Sequence, residues 1–152
     1  MKKKVKLFIP QYDRDHYNRL VADGKLDEFL GHKAGCGPGG LGDWLVPDKL
    51  FGVIDVTEAC KIHDYMYKIE TTLEGKMKAD RIFLNNMVRI VIAMTTPDED
   101  GFTVEETEIM KKRRSACLAE SRTYYTMVKW FGGPAFWDGK NKEEEYVECD
   151  LG

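Results

Sequence analysis

The sequence predicts a mostly α-helical chain in which two antiparallel core helices carry a His–Asp pair beside a Gly-rich loop, with a further helix towards the C-terminus. Three observations predict it. Apolar residues recur at helical spacing over residues 56–70, 76–94 and 104–129. The first two of these stretches are joined by a short turn containing Gly75, which favours antiparallel packing. Glycine and proline crowd residues 35–54 so densely that this stretch must be a shaped loop rather than a helix or a central strand.

Taken in order, residues 1–34 read as a polar lead-in with one short amphipathic helix, whose Leu20, Val21, Leu26, Phe29 and Leu30 can pack on a neighbour. The loop follows, with Leu41, Trp44, Leu45, Val46, Leu50 and Phe51 set among its glycines. A helix is expected after Asp55, with Thr57 and Glu58 in its first turn, ending near Glu70. Its Val56, Ala59, Cys60, His63 and Tyr67 share one face. The second helix, from about Lys76 to Met94, has the stripe Met77, Phe83, Leu84, Met87, Ile90, Val91 and Met94, with Asp80 in its midst. Residues 95–101 form a loop, and a third helix runs from about Val104 to Lys129, stopping before Gly132-Gly133-Pro134. The charged tail from Lys140 completes a single domain spanning 1–152, divided into the lead-in (1–34), the loop and core helices (35–94) and the C-terminal helix with its tail (102–152).

Composition narrows the function classes. A chain of 152 residues with 43% hydrophobic residues can bury a core as a monomer, which is the default expectation. Its net charge of −3 gives no footprint for nucleic-acid binding, and the basic runs at Lys2-Lys3-Lys4 and Lys111-Lys112-Arg113-Arg114 read first as solvated faces. The four cysteines permit two disulfides, but none has the CxxC spacing of a zinc site. The apolar stretch from Val5 to Pro10 is too short for a signal peptide and is interrupted by Lys6. No apolar run is long enough to span a bilayer, so a soluble protein is expected, with no export route legible.

Three features carry chemistry. In Gly35-Cys36-Gly37-Pro38-Gly39-Gly40, alternating glycines let successive peptide groups turn to a common centre. Carbonyls so aimed suit a hard cation such as Ca²⁺, N–H groups suit a phosphate, and a plain turn is the simplest alternative. His63 and Asp64 are helix neighbours that diverge by about 100°, so they serve different partners. Asp80 lies on an apolar face, where a bare carboxylate is costly and needs a partner. The candidates are His63, a backbone group or Arg81. A carboxylate bonded to one imidazole nitrogen would fix the tautomer and leave the other nitrogen as a general base.

Cys36-Gly37-Pro38-Gly39-Gly40, then Ala59-Cys60-Lys61-Ile62-His63-Asp64-Tyr65-Met66-Tyr67, then Asp80-Arg81-Ile82-Phe83, resemble the secreted phospholipase A2 superfamily. That family has a Cys-Gly-x-Gly-Gly calcium loop, a Cys-x-x-His-Asp-x-x-Tyr helix and a later helix supplying Asp. The resemblance implies that His63 is the general base, Asp80 its orienting partner and Tyr67 a support that hydrogen-bonds Asp80. It implies Ca²⁺ bound by Asp64 and by the carbonyls of Gly35, Gly37 and Gly39, with the Gly37 N–H as a further oxyanion donor. It also implies a Cys36–Cys60 disulfide. The match covers roughly residues 35–85. Gly35 stands where many members have Tyr, the gap from Gly40 to His63 is longer than in the venom and pancreatic enzymes, and their dense disulfide network is absent. These departures make the chain more similar to the compact phospholipase-like domains of parvovirus capsids and of bacterial or phage proteins, which Tyr124 to Gly133 also resemble. Cys117 and Cys149 have no role in it.

The expected activity is therefore Ca²⁺-dependent hydrolysis of a glycerophospholipid ester at a membrane interface. Trp44, Leu45, Leu50 and Phe51 either rim the entrance and meet lipid or belong to the core. Competing readings are a catalytically silent binding or structural module, a two-histidine metal phosphohydrolase using His32, His63, Asp64 and Asp80, and nucleic-acid binding through residues 111–114.

Overall fold

The structure, a computed structural model, describes residues 3–36, 47–97, 100–140, 145 and 147–152. Its chain order is α1 (Gln11–Ala22), α2 (Leu26–Leu30), β1 (Lys49–Leu50), β2 (Ile54–Asp55), α3 (Thr57–Ile69), α4 (Leu73–Met94), α5 (Val104–Phe131) and α6 (Gly133–Trp137). The molecule is mostly helical, and α3 is its centre. Eight of its residues, from Ala59 to Tyr67, are buried on every side of the helix, which is the signature of an element with neighbours all round. On one side Val56, Ala59 and Cys60 pack with Phe83, Met87, Ile90 and Val91 of α4, Cys117, Tyr124 and Val128 of α5, and the hairpin residues Leu50 and Ile54. On the other, Ile62, Tyr65 and Met66 pack with Ile9, Tyr17, Leu26, Leu30 and Phe136.

Local chemistry accounts for most boundaries. α5 begins at a capping box, where the Thr103 hydroxyl accepts from the Glu106 N–H and the Glu106 carboxylate accepts from the Thr103 N–H. Its buried Cys117, Ser121, Tyr124 and Val128 fall at i, i+4, i+7 and i+11, a single stripe against α4. The lead-in holds two helices rather than one, because Gly24 at φ 65° turns the chain between them; Val21 is exposed there, not packed. Ahead of α1 the chain forms neither helix nor strand and is clamped to α4. The buried Asn86 side chain accepts from the Phe8 N–H at 2.6 Å and donates to the Phe8 carbonyl at 2.9 Å.

The Gly- and Pro-rich stretch contains an antiparallel hairpin that its composition did not announce. Lys49 pairs with Asp55 and Leu50 with Ile54. Phe51 and Gly52 both take positive φ, 47° and 67°, at the centre of a turn closed by the Val53 N–H on the Leu50 carbonyl. Leu50 is fully buried, so it belongs to the core and not to a lipid-facing rim, whereas Phe51 at the turn is 62% exposed. Trp44 and Leu45 lie outside the described residues. At the other end, Gly133-Pro134 opens the short helix α6 instead of simply ending α5, since proline is tolerated in a first helical turn.

α4 starts three residues before Lys76. The Thr72 hydroxyl accepts from the Gly75 N–H at 3.0 Å, so Gly75 sits in the first turn and not in the connecting loop. Met77 and Met94, expected in the buried stripe, are exposed. Gly75 is needed for space: a Cβ there would stand 2.9 Å from the Glu70 Cβ and closer still to its carboxylate. Gly75→Ala is therefore expected to destabilise by about 1–3 kcal/mol through overpacking, despite the roughly 1 kcal/mol that alanine gains over glycine in a helix interior. Urea unfolding would measure it; an increase in stability would show that Glu70 moves aside freely.

Candidate active site

α3 and α4 are adjacent antiparallel helices joined by residues 70–72, and their packing sets His63 opposite Asp80. The His63 Nε2 lies 2.7 Å from Asp80 Oδ1, with both residues 1% exposed. Tyr67, one turn along α3 from His63, donates its hydroxyl to the same Oδ1 at 2.6 Å. The imidazole is gripped on its faces, stacked on Phe83 with ring centroids 4.6 Å apart and tilted against Tyr67 at 4.1 Å. Tyr67 is in turn braced edge-on by Phe136 of α6.

Asp80 Oδ2 has a partner that the sequence reading did not name. Lys76, one turn earlier on α4, donates to it at 2.8 Å and is itself 5% exposed. Arg81, weighed as a partner from sequence, makes no such bond. Burial alone would push the Asp80 carboxyl up; the hydrogen bond and charge of His63, then the bonds from Lys76 and Tyr67, outweigh it and hold the group below the ordinary carboxylate range. Asp80 is thus an ionised, acceptor-only group. Burial, and then the Asp80 charge, pushes the Tyr67 phenol far above its usual value, so it remains a donor.

An acceptor-only carboxylate at Nε2 requires a proton on that nitrogen, so in the neutral ring the lone pair lies on Nδ1. His63 Nδ1 is buried and has no hydrogen-bond partner among the described residues. A buried polar atom left without a partner costs stability, and this one stands at the end of a network whose other side-chain groups are bonded.

Asp64 points away from this pair, as the divergence of helix neighbours requires. It is buried, and its Oδ2 accepts from the Gly35 N–H at 3.0 Å. Gly35 adopts φ 137°, a conformation that favours glycine, and so brings the backbone against the carboxylate. Next to it Cys36 is disulfide-bonded to Cys60, which fastens the loop to α3 one turn before Asp64. Burial raises the Asp64 carboxyl to about 6, with the Gly35 bond and the two histidines His63 and His32 pulling the other way. Gly37 and Gly39 lie outside the described residues.

Among the described residues no cluster of three or more His, Cys, Asp or Glu side chains is placed to hold a metal ion. His32, His63, Asp64 and Asp80 are accordingly not gathered as a two-histidine centre; the His32 ring instead lies against the Lys33 carbonyl. A site of one carboxylate and backbone oxygens is a different donor set, and Asp64 fits it. Its carboxylate is buried, is tied to the loop backbone, and forms no ion pair with a lysine or arginine among the described residues. A hard divalent cation would offset that charge. The basic run at 111–114 is partly structural: Arg114 donates to the Thr95 hydroxyl and carbonyl and to the Thr96 hydroxyl, closing the end of α4.

No described helix is long and apolar enough to cross a membrane. Comparison of the chain with protein-family models, with curated proteins and with solved structures finds no match.

Proposed function

We propose that this chain has a phospholipase A2-like architecture and hydrolyses a glycerophospholipid ester with Ca²⁺, using His63 as the general base. The observation that carries the proposal is the buried Nδ1 of His63, without a hydrogen-bond partner among the described residues, on a ring whose Nε2 is held by Asp80. The motif resemblance over residues 35–85 adds the substrate class.

In this reading His63 Nδ1 takes a proton from a water molecule as the water oxygen attacks the ester carbonyl carbon. Asp80 stabilises the imidazolium through Nε2 and fixes its orientation, while Tyr67 fixes Asp80. His63 then returns the proton to the leaving alkoxide, which restores the starting state without an acyl-enzyme. Asp64 and the carbonyls of Gly35, Gly37 and Gly39 would hold the cation. When bound, Ca²⁺ would supply Lewis-acid stabilisation of the ester oxyanion. The phospholipid substrate is met at a membrane interface, with Phe51 and Val53 exposed apolar residues of the hairpin turn.

The test is fatty-acid release from mixed phospholipid vesicles, with Ca²⁺ and with EGTA, by the wild type and by His63→Gln. Release that needs both Ca²⁺ and His63 supports the proposal; absence of release from every lipid by the folded wild type removes it.

The state of Asp64 gives a separate prediction. Its folded value of about 6 lies above its ordinary 3.8, so between these values the folded protein keeps a proton that the unfolded chain has lost. Without Ca²⁺, stability contributed at this group therefore falls as pH rises through that window. Protons and Ca²⁺ compete for the carboxylate, so the Ca²⁺-induced rise in Tm is expected to be larger well above pH 6 than well below it. Thermal unfolding on both sides of that value, with Asp64→Asn as control, checks it; an equal rise at both would place the ion elsewhere.

A further inference from the structure

Lys76 is a buried cation inside the candidate site, and its surroundings define its job. Its ammonium has three N–H donors and three acceptors within reach: Asp80 Oδ2 at 2.8 Å, the Val128 carbonyl at 3.1 Å and the Lys129 carbonyl at 3.4 Å. The two carbonyls belong to the last turn of α5, where the helix dipole is negative; the Val128 oxygen also accepts from the Gly132 N–H, and its second lone pair is open to Lys76. A point charge on a flexible stem suits this three-cornered cradle. The ammonium therefore joins the α4 turn that carries Asp80 to the end of α5, 52 residues further along the chain.

The consequence for the dyad follows from charge and hydrogen-bond capacity. Asp80 is 1% exposed and carries a negative charge to which Tyr67 brings a hydrogen bond but no opposite charge. Lys76 offsets it, and the pair is neutral within one helical turn. With Oδ2 claimed by Lys76, the carboxylate cannot rotate, and Oδ1 stays on the His63 Nε2–H and the Tyr67 hydroxyl. A carboxylate without that anchor has a second orientation and a reason to take up a proton, and either change releases the imidazole from the tautomer that leaves Nδ1 bare.

We propose that Lys76 is a positioning residue for the His63–Asp80 pair, holding Asp80 in its charged, correctly rotated state by tying it to the C-terminal carbonyls of α5. The proposal rests on the hydrolase reading for its kinetic consequence, but its structural content is independent of turnover.

The experiment compares wild type, Lys76→Met and Lys76→Arg on vesicles with saturating Ca²⁺, alongside the proton NMR signal of the His63 Nε2–H in the free proteins. Lys76→Met, which keeps the stem and removes the charge, is expected to lower kcat about 10–100-fold at unchanged KM, the size of effect usual for loss of an outer-shell partner. The Nε2–H signal is expected to move or to broaden into solvent exchange, and Lys76→Arg is expected to restore part of both. An unchanged kcat with an unmoved signal in folded Lys76→Met overturns the proposal. If that variant does not fold, the wild type decides: the Lys76 ammonium must be protected from exchange with water, and exchange as fast as that of the surface lysines sinks the idea. If no protein hydrolyses any lipid, the hydrolase reading fails, while the NMR comparison still judges Lys76.

Discussion

Asp80→Asn is expected to lower Ca²⁺-dependent fatty-acid release about 10²–10⁴-fold, and His63→Gln to abolish it, with both variants folded. The two losses have different origins. Glutamine at 63 can still donate an N–H to Asp80, so the buried carboxylate keeps a partner, but it has no basic nitrogen to take a proton from water. The asparagine variant keeps the imidazole and loses its instruction. Lys76 needs an acceptor and takes the Asn carbonyl oxygen, because that is all the ammonium can use. The amide N–H₂ is then turned towards His63 Nε2 and the Tyr67 hydroxyl, where Asp80 Oδ1 stood. His63 can answer a donor at Nε2 only by accepting there, which moves its own proton to Nδ1. The base is lost although every residue is still in place. Vesicle assays give the rates, and NMR of the imidazole nitrogens gives the tautomer. A variant that retains activity with the proton on Nδ1 would refute this account of the site.

Removing the Cys36–Cys60 disulfide is expected to cost about 3–4 kcal/mol, by the chain-entropy argument for a crosslink of this span, and to lower Tm by roughly 10 °C for a domain of this size. The bond closes a loop with a sequence separation of 24 that contains the Gly-rich stretch and the hairpin. Its second effect is local. Gly35 reaches Asp64 from the residue next to Cys36, and Cys60 lies one turn before Asp64 on α3. Reduction should therefore weaken Ca²⁺ binding as well as stability, since the backbone that faces the carboxylate is no longer held to it. Urea unfolding of oxidised and reduced protein, each with and without Ca²⁺, separates the two. Equal midpoints in all four conditions would mean that the loop is held by other contacts.

How much of this was legible beforehand varies with the range of the interaction. The boundaries of α3 and α5 follow from short-range signals, the apolar period and a Thr103–Glu106 capping box, which act within a few residues. The His63–Asp80 contact was also within reach, because two helices joined by a short turn must return antiparallel and a carboxylate on an apolar face must find a partner. Tyr67 and the disulfide came through the motif resemblance and not from spacing.

The rest depended on groups far apart in the chain. Lys76 carried a local signal, four residues before Asp80 on the same helix, yet a lysine in that position is ordinarily a solvent-facing pair worth a few tenths of a kcal/mol. Only the arrival of the α5 carbonyls from residues 128 and 129 buries it and turns it into part of the site. Leu50 reads as a loop residue until its pairing with Ile54 sets it under α4 and α5. Asn86 reads as a polar interruption of α4 until the Phe8 backbone comes to meet it. Period, caps and charge spacing are properties of neighbouring residues, so this protein's sequence by itself determined its three long helices, α3, α4 and α5, and the residue types of its site. Which polar groups are buried together is a property of packing between distant segments, so the tertiary structure alone decided that Lys76 anchors Asp80 to the end of α5 and that Asp80 meets the Nε2 of His63 rather than Nδ1.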